Sequence, residues 1–140
     1  MQVISKAKAE WNGSLKSGGG HVSFGTFKGD YTWAGRFETG KGTTPEQLIA
    51  AAHASCFSMQ LSALLDSAHT PPTSLRTEAH VTMVHGTGIT KIVLEVEGVV
   101  PGSDQEKFSE IADRAKNICP VSKALAGVPQ VSVSARLVSA

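Results

Sequence analysis

Clustered positive charge is missing from this chain: Lys and Arg total 13 against 12 Asp and Glu, the net charge is +1, and no basic run occurs. A nucleic-acid surface needs grouped Lys and Arg, usually with stacking aromatics, and one Tyr with two Trp supplies little of either. The opening MQVISKAKAE lacks the apolar run of a secretory signal, which points to a cytoplasmic protein. Cysteine is scarce too. Two thiols in a reducing compartment make poor material for a disulfide framework and are more often inert, metal-bound or catalytic. Neither Cys-x-x-Cys nor His-x-x-x-His occurs, so no closed zinc site is expected. Repeats, low-complexity tracts and linkers are absent as well, and residues 1–140 are expected to form one domain.

What is present is organised around residues 43–66, where no Lys, Arg, Asp or Glu occurs between positions 47 and 65. Thr44 is a natural N-cap, Pro45 falls at the first helical position, and Gln47 completes a capping box. Leu48, Ile49, Ala52, Phe57, Met59, Leu61, Leu64 and Leu65 spread around the whole circumference, which predicts a helix covered on most sides. A membrane span is the rival for so long an uncharged run. The run of Ala, Ser, His and Gln over 50–62 is too polar and small-sided for lipid, so no membrane is expected as a partner.

Residues 2–11 alternate as a half-buried strand, and Asn12-Gly13 predicts an antiparallel return over 21–27. Lys28-Gly29-Asp30 predicts a further turn, after which residues 31–37 carry Arg36 to the N-terminus of the long helix. The glycine-rich stretch 35–42 superficially resembles a phosphate-binding loop. It lacks the magnesium-binding hydroxyl after Lys41, and Glu38 places a carboxylate where phosphates would lie. Two prolines, Pro71 and Pro72, end the long helix. Alternation over 75–83 and 89–100 around Gly86-Thr87-Gly88 predicts a second hairpin. Ser103 with Glu106 predicts a capping box for a helix to Asn117 whose apolar stripe is Phe108, Ile111, Ala112 and Ala115, continued by Cys119. Pro120 starts a short helix to Leu125, and 130–138 is a last strand. The order predicts an α+β fold, with a mostly antiparallel sheet wrapped around a long central helix.

The two thiols stand in different local settings. Cys119 precedes Pro120 at a helix start, where the partial positive charge of the backbone favours a thiolate, whereas Cys56 lies mid-helix. Local context therefore ranks Cys119 first. A buried Cys56 needs a cation, because desolvation raises a thiol pKa. Arg36 is the candidate: a guanidinium about 4 Å away at an effective dielectric near 20 contributes roughly 4 kcal/mol, or about three pKa units before desolvation. Pairing of Arg36 with Glu38 at the surface is the competing fate. His53 shares a helix face with Cys56, three residues on, but is better explained as a satisfied core or surface histidine than as a ligand. No role is assigned to His21, His69, His80 or His85, and no metal or cofactor is expected.

Arg36-Phe37-Glu38, residues 42–48, residues 51–59 and Cys119-Pro120-Val121-Ser122-Lys123 closely resemble the OsmC branch of the OsmC/Ohr peroxidases, and the resemblance covers essentially the whole chain. It implies a thiol-dependent reductase of organic hydroperoxides, with weaker action on hydrogen peroxide, in the response to oxidative and osmotic stress. It further implies an intertwined homodimer with its site at the subunit interface. By motif, Cys56 is the peroxidatic thiol, Cys119 the resolving thiol, Arg36 the activating cation and Glu46 the carboxylate that orients it. This reverses the local ranking of the thiols. Apolar neighbours Phe37, Ile49 and Phe57 are candidate pocket residues that would favour alkyl hydroperoxides. Lipoyl-type dithiols are the reductant the family suggests. A non-turnover redox sensor or ligand-binding module, and a structural protein with inert cysteines, are the alternatives from other classes. Glu46 and Cys56 are ten residues apart, roughly 15 Å on a straight helix. An Arg36 paired with Glu46 is therefore expected to serve the Cys56 of a second, antiparallel copy.

Overall fold

In the computed structural model, which describes residues 1–139, the chain forms two compact units, Met1–Leu48 and Ile49–Ala140. The first carries three antiparallel strands in the order β1-β2-β3: β1 (Lys8–Asn12), β2 (Gly19–Phe24) and β3 (Phe27–Tyr31). The strand expected over 2–11 begins only at Lys8. Lys8 pairs with Ser23 and Phe24 already pairs with Phe27, so β2 turns away and leaves the residues before Lys8 without a partner strand among the described residues. The reversal expected at residues 28–30 lies instead at Gly25-Thr26. Gly25 takes φ 54°, a conformation that costs glycine little, and Lys28, Gly29 and Asp30 continue β3. Rings of Phe24 and Phe27 stack across this turn at 4.8 Å.

The long helix α1 (Pro45–Ser67) starts where its cap predicts, with the Gln47 N–H donating to Thr44 Oγ1 at 3.0 Å. Its covering is narrower than its composition suggested. His53, Phe57, Leu61 and Leu65 form one buried stripe at four-residue spacing, while Ala51, Ala52, Ser55, Met59 and Ala63 are exposed within the single chain. By length and composition α1 would suffice to cross a bilayer, with a mean hydropathy of 1.5. Three of its large apolar side chains are instead wholly buried in the protein core.

The second unit pairs β4 (Ser74–Val84) with β5 (Gly88–Val99) antiparallel, and β5 with β6 (Gln130–Leu137) parallel. The parallel pairing follows from the connection. The chain crosses over through α2 (Gln105–Ile118) and α3 (Pro120–Ala124) before it returns, as parallel neighbours require. The cap of α2 is one residue later than expected: Asp104, not Ser103, accepts the Lys107 N–H at 2.8 Å, and its carboxylate also complements the helix dipole. Gln105 then binds β6 twice, donating to Ala135 O and accepting from the Leu137 N–H, which satisfies part of an otherwise open strand edge.

Between sheet and helices lies a core of Phe57, Leu61, Leu65, Leu94, Val96, Val100, Phe108, Ile111, Ala112, Ala115 and Cys119. Period-two burial in β5 and the stripe on α2 meet there as their spacing predicts. Gly98 permits the closest approach, since a Cβ at that position would lie 2.5 Å from the Phe108 ring. Phe108 is wholly buried and has no room to swing aside. Gly98→Ala is therefore expected to cost about 1–3 kcal/mol, measurable as a lower urea midpoint.

Candidate active site

Arg36 is carried by a single π-helical turn, Gly35–Thr39, of the kind often found at functional positions. Thr32 starts that turn: its hydroxyl accepts the Gly35 N–H at 2.8 Å and its carbonyl the Arg36 N–H at 3.2 Å. Gly40 in the left-handed region closes it, and the Thr43 N–H returns the chain to the Asp30 carbonyl at 2.9 Å, just ahead of α1. Arg36 then meets Glu46 in the first turn of α1. Nε lies 3.0 Å from Oε1 and 3.2 Å from Oε2, and Nη2 also pairs with Oε1. The carboxylate thus fixes the fork of the guanidinium, a charge-assisted geometry that restricts where the remaining N–H groups point. Glu38, the competing partner considered from sequence, is exposed and is not the one Arg36 takes.

In the second unit a group of side chains assembles around the two thiols. Cys56 on α1 and Cys119, between α2 and α3, are both free thiols within hydrogen-bond reach of one another. Three residues before Cys56, His53 is wholly buried, and three residues after Cys119, Ser122 meets it: Nε2 and Oγ are 2.7 Å apart. The two pairs form antiparallel rungs, thiol to thiol and imidazole to hydroxyl. Burial pushes the Cys56 thiol up, the Cys119 thiol adds to this, and the Val121 N–H only partly offsets it. Burial pushes Cys119 up as well, but its ionised form can accept from Cys56, from the Ser122 N–H and hydroxyl and from the Val121 N–H, which outweighs burial and holds that thiol low. Within its own unit, then, Cys119 is the better thiolate, as local sequence context indicated.

Among the apolar residues singled out from sequence, Phe57 is wholly buried in the core, Ile49 is half-buried on α1, and Phe37 packs its ring 5.3 Å from Trp33. Sequence reasoning overlooked a hydrophobic cavity of about 250 Å³ lined by Trp11, Leu15, Tyr31, Thr32, Trp33, Arg36 and Pro45. Trp11 and Trp33 are the signal that was available. They are the chain's two tryptophans, and Trp33 stands three residues before Arg36.

His53 has a second consequence. Burial lowers its pKa below the ordinary value of about 6.5, so the unfolded chain takes up a proton that the folded one resists. The associated stability is fully present above about pH 6.5 and is lost as pH falls towards the lowered folded value. Chemical denaturation at neutral and acid pH is expected to show a smaller acid loss for His53→Gln than for the unsubstituted protein.

A profile of the OsmC-like protein family matches residues 38–134. The chain is 46% identical over 133 residues to Peroxiredoxin OsmC of Escherichia coli (strain K12), covering 89% of this chain and 92% of that one. It is 34% identical over 97 residues to the Organic hydroperoxide resistance protein of Xanthomonas axonopodis pv. citri (strain 306), covering 68% of each. In fold it is similar to the crystal structure of an OsmC like protein from Mycoplasma pneumoniae, with a TM-score of 0.77 and 19% identity over 99% of both chains. With the profile spanning most of its length and a relative this similar over nearly all of it, the chain belongs to the OsmC family.

Proposed function

We propose that this chain is a cysteine-dependent peroxidase that reduces organic hydroperoxides, and hydrogen peroxide more weakly. The observation that carries the reading is the meeting of two free thiols, Cys56 and Cys119, in one chain. Peroxidase and hydroperoxide-resistance relatives support it, as does the apolar cavity that Arg36 borders. Cys56 thiolate attacks a peroxide oxygen, the O–O bond breaks, and the departing alkoxide takes a proton to leave as alcohol. Cys56 is left as a sulfenic acid. Cys119 attacks that sulfur, the S–O bond breaks and water leaves, forming a disulfide that an external dithiol reduces. Lipoyl-type dithiols fit that two-electron step.

Arg36, oriented by Glu46, stabilises the Cys56 thiolate and the charge that develops on the leaving oxygen. Cys56 needs this help because burial and Cys119 both work against its ionisation. The chain acts as a homodimer in the cytoplasm, each site combining Arg36 and Glu46 of one copy with Cys56 and Cys119 of the other. Two things support the pairing: the hold of Arg36 on Glu46, ten residues before Cys56, and the exposed small-residue face of α1. Steady-state assay with excess organic hydroperoxide and dithiol tests the reading. Many equivalents of alcohol per chain are expected. A single burst matching the thiols would make the protein a sensor, and unreactive thiols in the native protein would make them structural.

A further inference from the structure

The imidazole of His53 is wholly buried, its Nε2 lies 2.7 Å from Ser122 Oγ, and its Nδ1 meets no hydrogen-bond partner among the described residues. A buried polar atom left unpaired costs free energy, so this ring is not explained as a satisfied core histidine. Ser122 is also within reach of the Cys119 sulfur, where a hydroxyl favours the ionised form of that thiol. Imidazole, hydroxyl and thiol are thus neighbours in succession, beside the thiol of Cys56. From this arrangement, and resting on the peroxidase reading above, we propose that His53, acting through the Ser122 hydroxyl, is a positioning residue that removes the proton of Cys119 for disulfide formation.

The chemistry of that step calls for such a group. While Cys56 must be the thiolate, Cys119 beside it is best kept protonated, since two adjacent thiolates repel. Once Cys56 has become a sulfenic acid the requirement reverses, and Cys119 must lose its proton to become the nucleophile. In the resting relay the Ser122 hydroxyl donates to the lone pair on Nε2, and Nδ1 carries the ring hydrogen. The Cys119 proton passes to Ser122 Oγ as the Ser122 proton passes to Nε2. Cys119 sulfur then attacks Cys56 sulfur, the S–S bond forms as the S–O bond breaks, and the departing hydroxide takes the proton back as water. Cys119 is oxidised and the sulfenic sulfur reduced, so no further reactant enters. Burial of the ring disfavours its charged form and returns the proton promptly.

Rapid-mixing kinetics on the intact protein separates the two steps. Sulfenic acid formation depends on peroxide concentration, and disulfide formation does not. His53→Gln retains a hydrogen-bonding group facing Ser122 but takes no proton, Ser122→Ala interrupts the relay, and Ser122→Thr restores the hydroxyl. The ratio of the second rate constant to the first is expected to fall roughly 100-fold or more in His53→Gln and Ser122→Ala. The double variant should be no slower than the slower single one, and Ser122→Thr should recover the ratio. An unchanged ratio in His53→Gln or Ser122→Ala, additive losses, or a Ser122→Thr variant as slow as Ser122→Ala would each overturn the relay while the peroxidase reading stands. Absence of the first phase from the unsubstituted protein would overturn that reading and the relay with it.

Discussion

Cys56→Ser is expected to abolish peroxide reduction, by on the order of 10⁴-fold or more, because it removes the atom that forms the covalent intermediate. Cys119→Ser is expected to behave differently. The first equivalent of hydroperoxide should still be reduced, after which Cys56 accumulates as sulfenic and then sulfinic acid because nothing in the chain resolves it. Initial burst amplitude, alcohol yield and the mass of the Cys56 peptide distinguish the variants. The contrast matters because the local electrostatics point the other way: within the second unit Cys119 is held low and Cys56 pushed up. A full first burst from Cys56→Ser would mean that Cys119 is the peroxide-reactive thiol and that the hydrogen bonds around it, not the Arg36 guanidinium, choose the nucleophile.

Legibility of this fold from sequence varied with how local its causes are. The start of α1 was legible because Thr44, Pro45 and Gln47 act on backbone groups within one turn. The stripe from Phe108 to Cys119 and the alternation in β5 were legible because burial follows simple periods. Which of Ser103 and Asp104 caps α2 was not, since both carry suitable oxygens and the turn made by the Ser103 N–H to Val100 O decides between them. The β2–β3 reversal was misplaced because Lys28-Gly29-Asp30 has turn-like composition, while the register that puts Phe24 opposite Phe27 is set across strands. At the site, the two cysteines and Arg36 stood out by residue type, whereas Glu46 entered only through the family resemblance, because nothing local separates it from Glu38 as the partner of Arg36. The His53 to Ser122 contact spans 69 positions and could not be inferred from either neighbourhood.

Arg36→Ala is expected to slow the peroxide step by up to about a thousandfold, the equivalent of the roughly 4 kcal/mol that a guanidinium at about 4 Å contributes at an effective dielectric near 20. Glu46→Gln should lose less, because the guanidinium remains and only its carboxylate anchor is weakened. The composite arrangement adds a sharper expectation. When inactive Cys56→Ser chains are unfolded and refolded together with Arg36→Ala chains, each mixed dimer regains one complete site, and random pairing restores about a quarter of the unsubstituted activity. If mass measurement confirms exchange and no activity returns, Arg36 serves the cysteine of its own chain.

The most direct test of the account is peptide mapping under non-reducing conditions after brief treatment of the native protein with one equivalent of an organic hydroperoxide. The expected product is a disulfide joining Cys56 and Cys119 of the same chain, with both thiols lost together and the chain lighter by two hydrogen atoms. A disulfide between chains, a sulfenic acid confined to Cys119, or two thiols still free after the peroxide has been consumed would contradict it.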